Sequence, residues 1–232
     1  MPAKAWSDAV HILVINPNST ASMTAAIGEA ARAAAAPGTT ITAINPETGP
    51  PAIQGPEDGA AALPGLFSLF DREVVGREAY DAAIIACFDD TGLMDLRARS
   101  PVPVVGIGEA GYLAAARRGK RFSVVTTLAV SVPILEANIA AYGLDHACAR
   151  VRASGVPVLA LEEDLAAAAR IEAEIDTALR DDGCDAIVLG CAGMAQFAEQ
   201  MQAAHGIPVI DGVAAAVAWC EEAVAVKAEE NR

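Results

Sequence analysis

Short runs of Val, Ile and Ala punctuate this chain at Val10–Ile15, Thr40–Ile44, Ala82–Ala86, Val102–Val105, Phe122–Val125, Val156–Leu161, Ala186–Leu189 and Ile207–Ile210. They mostly lack polar alternation, which is how strands covered on both faces read. Amphipathic stretches lie between them. Leu63, Leu66, Phe67, Phe70 and Val74 fall at helical spacing. So do Leu165, Ala168, Ile171, Ile175 and Leu179, with Gly183 placed to end that helix. Met194, Phe197 and Met201 mark another face, and Val213, Val217, Cys220 and Val224 a further one. These Met and Phe stripes read as core. Strand and helix in alternation argue for a mainly parallel sheet covered on both sides, an α/β fold.

The rhythm occurs twice. Asp81-Ala-Ala-Ile-Ile-Ala-Cys87 resembles Asp185-Ala-Ile-Val-Leu-Gly-Cys191, and each Cys stands where an apolar strand stops. Further on, Pro103-Val-Val is echoed by Pro208-Val-Ile. The opening strand, His11-Ile-Leu-Val-Ile-Asn16, has its counterpart in Arg121-Phe-Ser-Val-Val-Thr126. Three echoes in one order indicate a duplication, with about four strands in each half. No Pro/Gly/Ser-rich linker separates the halves, so they should pack directly together, with the switch near Gly111–Gly119. The last helix, about Val213–Ala228, is expected to return to the first half. The expected lobes are therefore 1–112 plus 213–232, carrying Cys87, and 113–212, carrying Cys191.

Composition narrows the function. Thirty acidic against sixteen basic side chains leave a formal charge of −14 over 232 residues, and such a surface repels phosphate backbones. At 53% hydrophobic and 20% charged the chain is expected to fold rather than stay disordered. No apolar run approaches the roughly 20 residues of a membrane helix. The opening MPAKAWSDAV does not read as a secretory signal, so a cytoplasmic home with reduced thiols is expected. Five Cys with no Cys-x-x-Cys spacing speak against a disulfide framework and a structural zinc site.

Ligands of open parallel sheets bind beyond the carboxyl ends of the strands. Four polar segments stand there: Asn16-Pro17-Asn18-Ser19-Thr20, Cys87-Phe88-Asp89-Asp90-Thr91-Gly92, Thr126-Thr127 and Cys191-Ala192-Gly193. A lone cysteine ending a strand is ordinarily an inert small hydrophobe. Two cysteines at equivalent positions of a repeat, facing each other across a cleft, suit one chemistry well. One thiolate removes a proton from a carbon acid, and the opposite thiol returns one to the other face. Configuration is inverted without a cofactor. A helix N-terminus after Cys191 is expected to lower its pKa, while Asp89 and Asp90 disfavour a thiolate at Cys87. Backbone N–H groups after Asn18, Cys87 and Cys191 could cradle the carbanion's charge. Cys148, Cys184 and Cys220 lack such placement and read as packing or surface.

Other features have plainer readings. Asn16–Thr20 also reads as a turn with an N-cap, and Asp89-Asp90 as a solvated cap or turn. His11, His146 and His205 show no ligand spacing. Gly106-Ile107-Gly108 lacks the third glycine of a dinucleotide fingerprint. Glu162-Glu163-Asp164 reads as a helix start.

Ile15-Asn-Pro-Asn-Ser-Thr-Ala-Ser-Met-Thr24, Ala86-Cys-Phe-Asp-Asp-Thr-Gly-Leu93 and Leu189-Gly-Cys-Ala-Gly-Met194 together resemble signatures of the hydantoin and allantoin racemase group within the aspartate/glutamate racemase superfamily. The resemblance covers nearly the whole chain. It implies two pseudo-symmetric α/β domains, each a mainly four-stranded parallel sheet flanked by helices, with the site between them. It implies Cys87 and Cys191 as the acid/base pair, no metal, pyridoxal phosphate or nicotinamide, and a homo-oligomer. Substrate contacts are implied from Asn18, Phe88, Asp89, Thr126, Thr127, Ala192 and Gly193. Thr91 departs from the Pro that the group often has there. The motif loops offer no obvious Arg clamp, which favours a cyclic ureide over a free amino acid. Racemisation of aspartate or another amino acid and maleate-type isomerisation stay open. So does a ligand-binding module on the same scaffold. Arylmalonate decarboxylases resemble the fold but keep only the second cysteine, so Cys87 argues against them.

Overall fold

A computed structural model describes residues 10–117 and 121–230. The leader reading of the first residues and the Gly119 end of the expected switch lie outside the described residues. The first half builds strands β1 (His11–Ile15), β2 (Thr40–Ile44), β3 (Ala82–Ile85) and β4 (Val104–Gly106). The second builds β5 (Phe122–Thr126), β6 (Cys148–Ala153), β7 (Ala186–Gly190) and β8 (Val209–Asp211). The helices are α1 (Ala21–Ala34), α2 (Pro56–Phe70), α3 (Leu93–Arg99), α4 (Ile107–Arg117), α5 (Val132–Ala141), α6 (Ala160–Glu163), α7 (Ala167–Asp181), α8 (Ala198–His205) and α9 (Gly212–Glu230).

Each half folds into a four-stranded sheet, ordered β2-β1-β3-β4 and β6-β5-β7-β8. All pairings are parallel. The two orders are the same, and the three echoed segments occupy equivalent strands: β1 with β5, β3 with β7, β4 with β8. Side chains alternate across each sheet. Ile12, Val14, Ala82 and Ile84 face a central core shared with Val124 and Val188 of the second sheet. Leu13, Ile15, Ala83 and Ile85 face an outer core closed by Leu66, Phe70 and Leu96 of α2 and α3. Ile187 and Leu189 face the outer core of the second sheet, against Ile171 and Ile175 of α7 and Met201 of α8. Burial on both faces is why these strands read as unbroken apolar runs. Helix α9 adds Val213, Val217, Cys220 and Val224 to the central core, with Tyr112 of α4. It packs mainly on α4 and α1. Among the described residues no helix is long and apolar enough to cross a membrane.

Two expectations need correction. The sixth strand is Cys148–Ala153, not Val156–Leu161. It is an edge strand paired only with β5, and it carries Arg150 and Arg152. Arg152 is held by Asp182 at 2.6 Å and by Glu174 at 3.1 Å. An edge needs no double-sided apolar pattern, and edge charges block stray pairing. The apolar Val156 and Val158 are buried in the loop that follows, and Ala160–Glu163 turns helical. Leu165 is fully exposed rather than part of a buried face. Helix α7 starts after it, at Ala167, and Gly183 ends the segment at φ +63°.

Candidate active site

Every candidate loop leaves its sheet at the same end, because all strands within a sheet are parallel. A narrow cavity of about 30 Å³ lies where the two sets of loops meet. Asn16, Asn18, Cys87 and Asp89 reach it from the first half, and Thr126, Thr127, Cys191 and Ala192 from the second. The cysteines therefore line one space from opposite halves, and both are partly accessible. Lys, Arg and His are absent among the described lining residues.

The loop after β1 is built on amide side chains. Asn16 Nδ2 donates to Asn18 Oδ1 at 2.9 Å and to Thr24 Oγ1 at 3.0 Å. Asn18 Oδ1 also accepts from the Thr20 backbone N–H at 2.9 Å, closing the turn that precedes α1, and Asn18 lines the cavity. Asn18 Nδ2 donates to Met23 Sδ at 3.7 Å.

The Cys87 loop is held on three sides. Ala86 N–H donates to Ile15 carbonyl at 2.8 Å, fixing the strand end. Thr91 Oγ1 donates to Cys87 Sγ at 3.4 Å. Asp90, at φ +51°, turns its carboxylate away from the cavity. There it accepts from the N–H groups of Gly108 at 3.0 Å and Glu109 at 2.8 Å, and from the Tyr142 hydroxyl at 2.8 Å. Asn138 donates to the Asp89 carbonyl at 2.8 Å. Two side chains, Asn138 of α5 and Tyr142 at its end, thus pin the cysteine loop of the first half from the second. Gly106 and Gly108 are glycines because that loop lies on them. A Cβ at Gly108 would come within 2.4 Å of the Phe88 carbonyl, and one at Gly106 within 2.1 Å of Asp90 Oδ1. Asp89 and Asp90 are therefore buried, not a solvated turn. They diverge as adjacent side chains do, with only Asp89 on the cavity.

The second half mirrors this. Thr126 Oγ1 donates to the Gly190 carbonyl at 2.8 Å, tying β5 to the residue before Cys191. A 3₁₀ turn, Ala192–Phe197, follows Cys191. The Met194 N–H donates to the Cys191 carbonyl at 3.0 Å, and the N–H groups of Gly193 and Met194 favour the thiolate. Gly193 itself borders a neighbouring groove rather than the cavity. Phe88 borders the cavity, but its ring packs edge-on against Tyr112, 5.3 Å between centroids, in the central core. Phe67 and Phe70 belong to the far face of the first sheet. Cys184 and Cys220 are buried in packing, and Cys148 sits on the edge strand.

Electrostatics set the thiols apart. Burial pushes the Cys191 pKa up to about 11, against the pull of the Gly193 and Met194 N–H groups, with the Asp89 charge adding to the rise. The expected lowering by the helix start is thus outweighed by desolvation. Burial raises Cys87 further still, and Asp89 is its second cause, as the adjacent acid suggested. Cys191 is the more readily ionised sulfur. Burial lifts the Asp89 carboxyl to about 6, and its Oδ2 has no hydrogen-bond partner among the described residues.

Sequence reasoning missed Ile53, Ser131 and Val158, which complete the cavity wall. Ile53 and Val158 lie on two facing loops bridged by Gln54 Oε1, which accepts from the Val158 N–H at 2.9 Å. Non-repeating loops leave no periodic signal. The small polar Ser131 just before Val132-Pro133 marks only a helix start.

A model of the Asp/Glu/hydantoin racemase family matches residues 12–220. A hydantoin racemase from Rhizobium meliloti is 47% identical over 91% of this chain and 88% of its own. An allantoin racemase structure from Klebsiella pneumoniae superposes with a TM-score of 0.89 at 43% identity, over 94% of this chain and 89% of that one. A glutamate racemase from Bacillus anthracis shares the fold alone, at a TM-score of 0.68 and 17% identity over 96% and 84%. The chain belongs to the Asp/Glu/hydantoin racemase family.

Proposed function

We propose that the protein is a cofactor-independent racemase that inverts the C5 stereocentre of 5-substituted hydantoins, allantoin included. One observation carries the reading: Cys87 and Cys191, equivalent residues of a duplicated fold, reach a single cavity from opposite halves. The lobes are taken as 1–112 plus 213–232 and 113–212, in keeping with the packing of α9 on α1 and α4. The relatives named hydantoin and allantoin racemase support the ring as substrate.

The C5 hydrogen of a hydantoin lies beside the C4 carbonyl. Cys191, the more acidic sulfur, acts as thiolate and takes that proton. The electron pair of the C–H bond moves into the ring and rests on the C4 oxygen as an enolate. Backbone N–H groups at the loop ends and the Asn18 amide take up that charge. Cys87, protonated, gives its proton to the opposite face of C5. The sulfurs finish with exchanged protonation states, ready for the other enantiomer. Asp89 Oδ2, unpartnered on the cavity wall, accepts a ring N–H. The absence of a cationic lining residue among those described suits a neutral ring better than an amino-acid carboxylate.

The test is optical. Single enantiomers of a 5-alkylhydantoin, allantoin and aspartate are incubated separately with the protein, against enzyme-free blanks because the ureides racemise unaided. Loss of rotation faster than the blank is expected for the ureides and not for aspartate. Inversion of aspartate alone would replace the substrate. Saturable binding without inversion would mark a binding module.

A further inference from the structure

The catalytic cavity is too small for what it is asked to hold. A space of about 30 Å³ holds only about two waters, at about 10–15 Å³ for each. A C5-substituted ring needs several times that, so a wall must yield. The polar wall, Asn18, Asp89 and Thr126–Thr127, is fixed by strand ends and hydrogen bonds. Two residues differ from the rest of the lining. Met23 and Ala192 border the cavity and also a second, far larger space of about 1020 Å³ between α1, α4, α9 and the segment after Cys191. They are the partition between the two.

Met23 is the movable half of that partition. It stands in the first turn of α1, packed against Ala52, Val158 and Cys191. Its side chain has three rotatable bonds, and thioethers tolerate repacking. Its sulfur accepts one hydrogen bond, from Asn18 Nδ2 at 3.7 Å. Beyond it the groove is lined by Ala26 and Ala30 of α1 and by Ala195, together with the larger Leu113, Trp219 and Gln196. Ala26 lies one helical turn from Met23, on the same side of α1.

We propose that Met23 is the specificity-determining residue of the site, and that the C5 substituent leaves the cavity past Met23 and Ala192 to lie in this groove. The proposal rests on the racemase reading and names its substrate class: hydantoins whose C5 substituent is extended or bulky, with an apolar stem. The ring stays between the sulfurs while the substituent is read elsewhere.

The experiment compares kcat/KM for racemisation of 5-methylhydantoin and 5-benzylhydantoin in the wild type, Met23→Ala, Met23→Leu and Ala26→Trp. An apolar pocket discriminates by roughly ten- to a few hundred-fold per added or missing group. Met23→Ala is expected to raise the benzyl-to-methyl ratio about tenfold, and Met23→Leu to change it less than about threefold. Ala26→Trp fills the groove from an exposed position, where folding is not at stake, and is expected to lower the ratio about tenfold. A ratio within about twofold of wild type for Ala26→Trp overturns the proposal, whatever Met23→Ala does. If the wild type racemises neither hydantoin, the racemase reading itself fails, a result that no change in the ratio can produce.

Discussion

Replacing Gly108 by Ala perturbs the cysteine loop without touching a cysteine. The new Cβ would stand 2.4 Å from the Phe88 carbonyl and 2.8 Å from Asp90 Oδ2, where ordinary contact begins at 3.4 Å. The carbonyl must therefore retreat by about 1 Å, and it belongs to the residue that follows Cys87. A displacement of that size at a reacting group costs about 10²-fold in kcat. Stability moves less. Overpacking costs about 1–3 kcal/mol, while alanine in a helix regains up to about 1 kcal/mol over glycine. The expected outcome is a folded protein, destabilised by about 0–3 kcal/mol, with kcat down about a hundredfold. Gly59→Ala is the control. Its Cβ would meet nothing nearer than Thr91 Oγ1 at 4.0 Å, within α2. It should gain about 0.5–1 kcal/mol and keep its rate. Denaturant melts and optical-rotation kinetics on the same samples read both quantities. Wild-type kcat in Gly108→Ala would refute the idea that close backbone approach holds Cys87 in place.

Three further outcomes follow from the buried charges and the core. Iodoacetamide at pH 8 should label Cys191 before Cys87, and Asp89→Asn should speed labelling of both, because the Asp89 charge raises each thiol; peptide mass spectrometry gives the order, and unchanged rates would remove Asp89 from the electrostatics. Burial lifts Asp90 from 3.8 to about 7 despite its three hydrogen bonds, so between those values the folded state holds a proton that the unfolded chain has lost. That contribution is present at low pH and is lost as pH rises toward 7, so Asp90→Asn should flatten this part of a pH-stability profile. Ile84→Ala, in the centre of the shared core, should cost about 2–5 kcal/mol in urea melts, and under 1 kcal/mol would contradict its burial.

The double-faced strands were legible because burial on both sides leaves an apolar run with no other reading. So was the duplication, since Cys87 and Cys191 end equivalent strands and the sheet orders repeat. The edge strand was not. Cys148–Ala153 carries two arginines because one rim of a sheet faces water, whereas buried Val158 belongs to a loop. The glycines at 106 and 108 looked like a broken nucleotide motif. Their cause is a neighbouring backbone, which no local pattern encodes. Asp90 looked like a surface turn for the same reason: its partners, Tyr142 and the start of α4, are distant in sequence. Ile53, Ser131 and Val158 reach the cavity from loops whose course depends on the two halves meeting.

Deuterium uptake at C5 by Cys87→Ser and Cys191→Ser, followed separately for each hydantoin enantiomer in heavy water, tests the account most directly. Each variant should exchange the hydrogen of one enantiomer only, the two variants choosing opposite ones, with inversion slowed by about 10²–10⁴-fold in both. Racemisation at the wild-type rate by either variant, or exchange of both enantiomers by one sulfur alone, would contradict it.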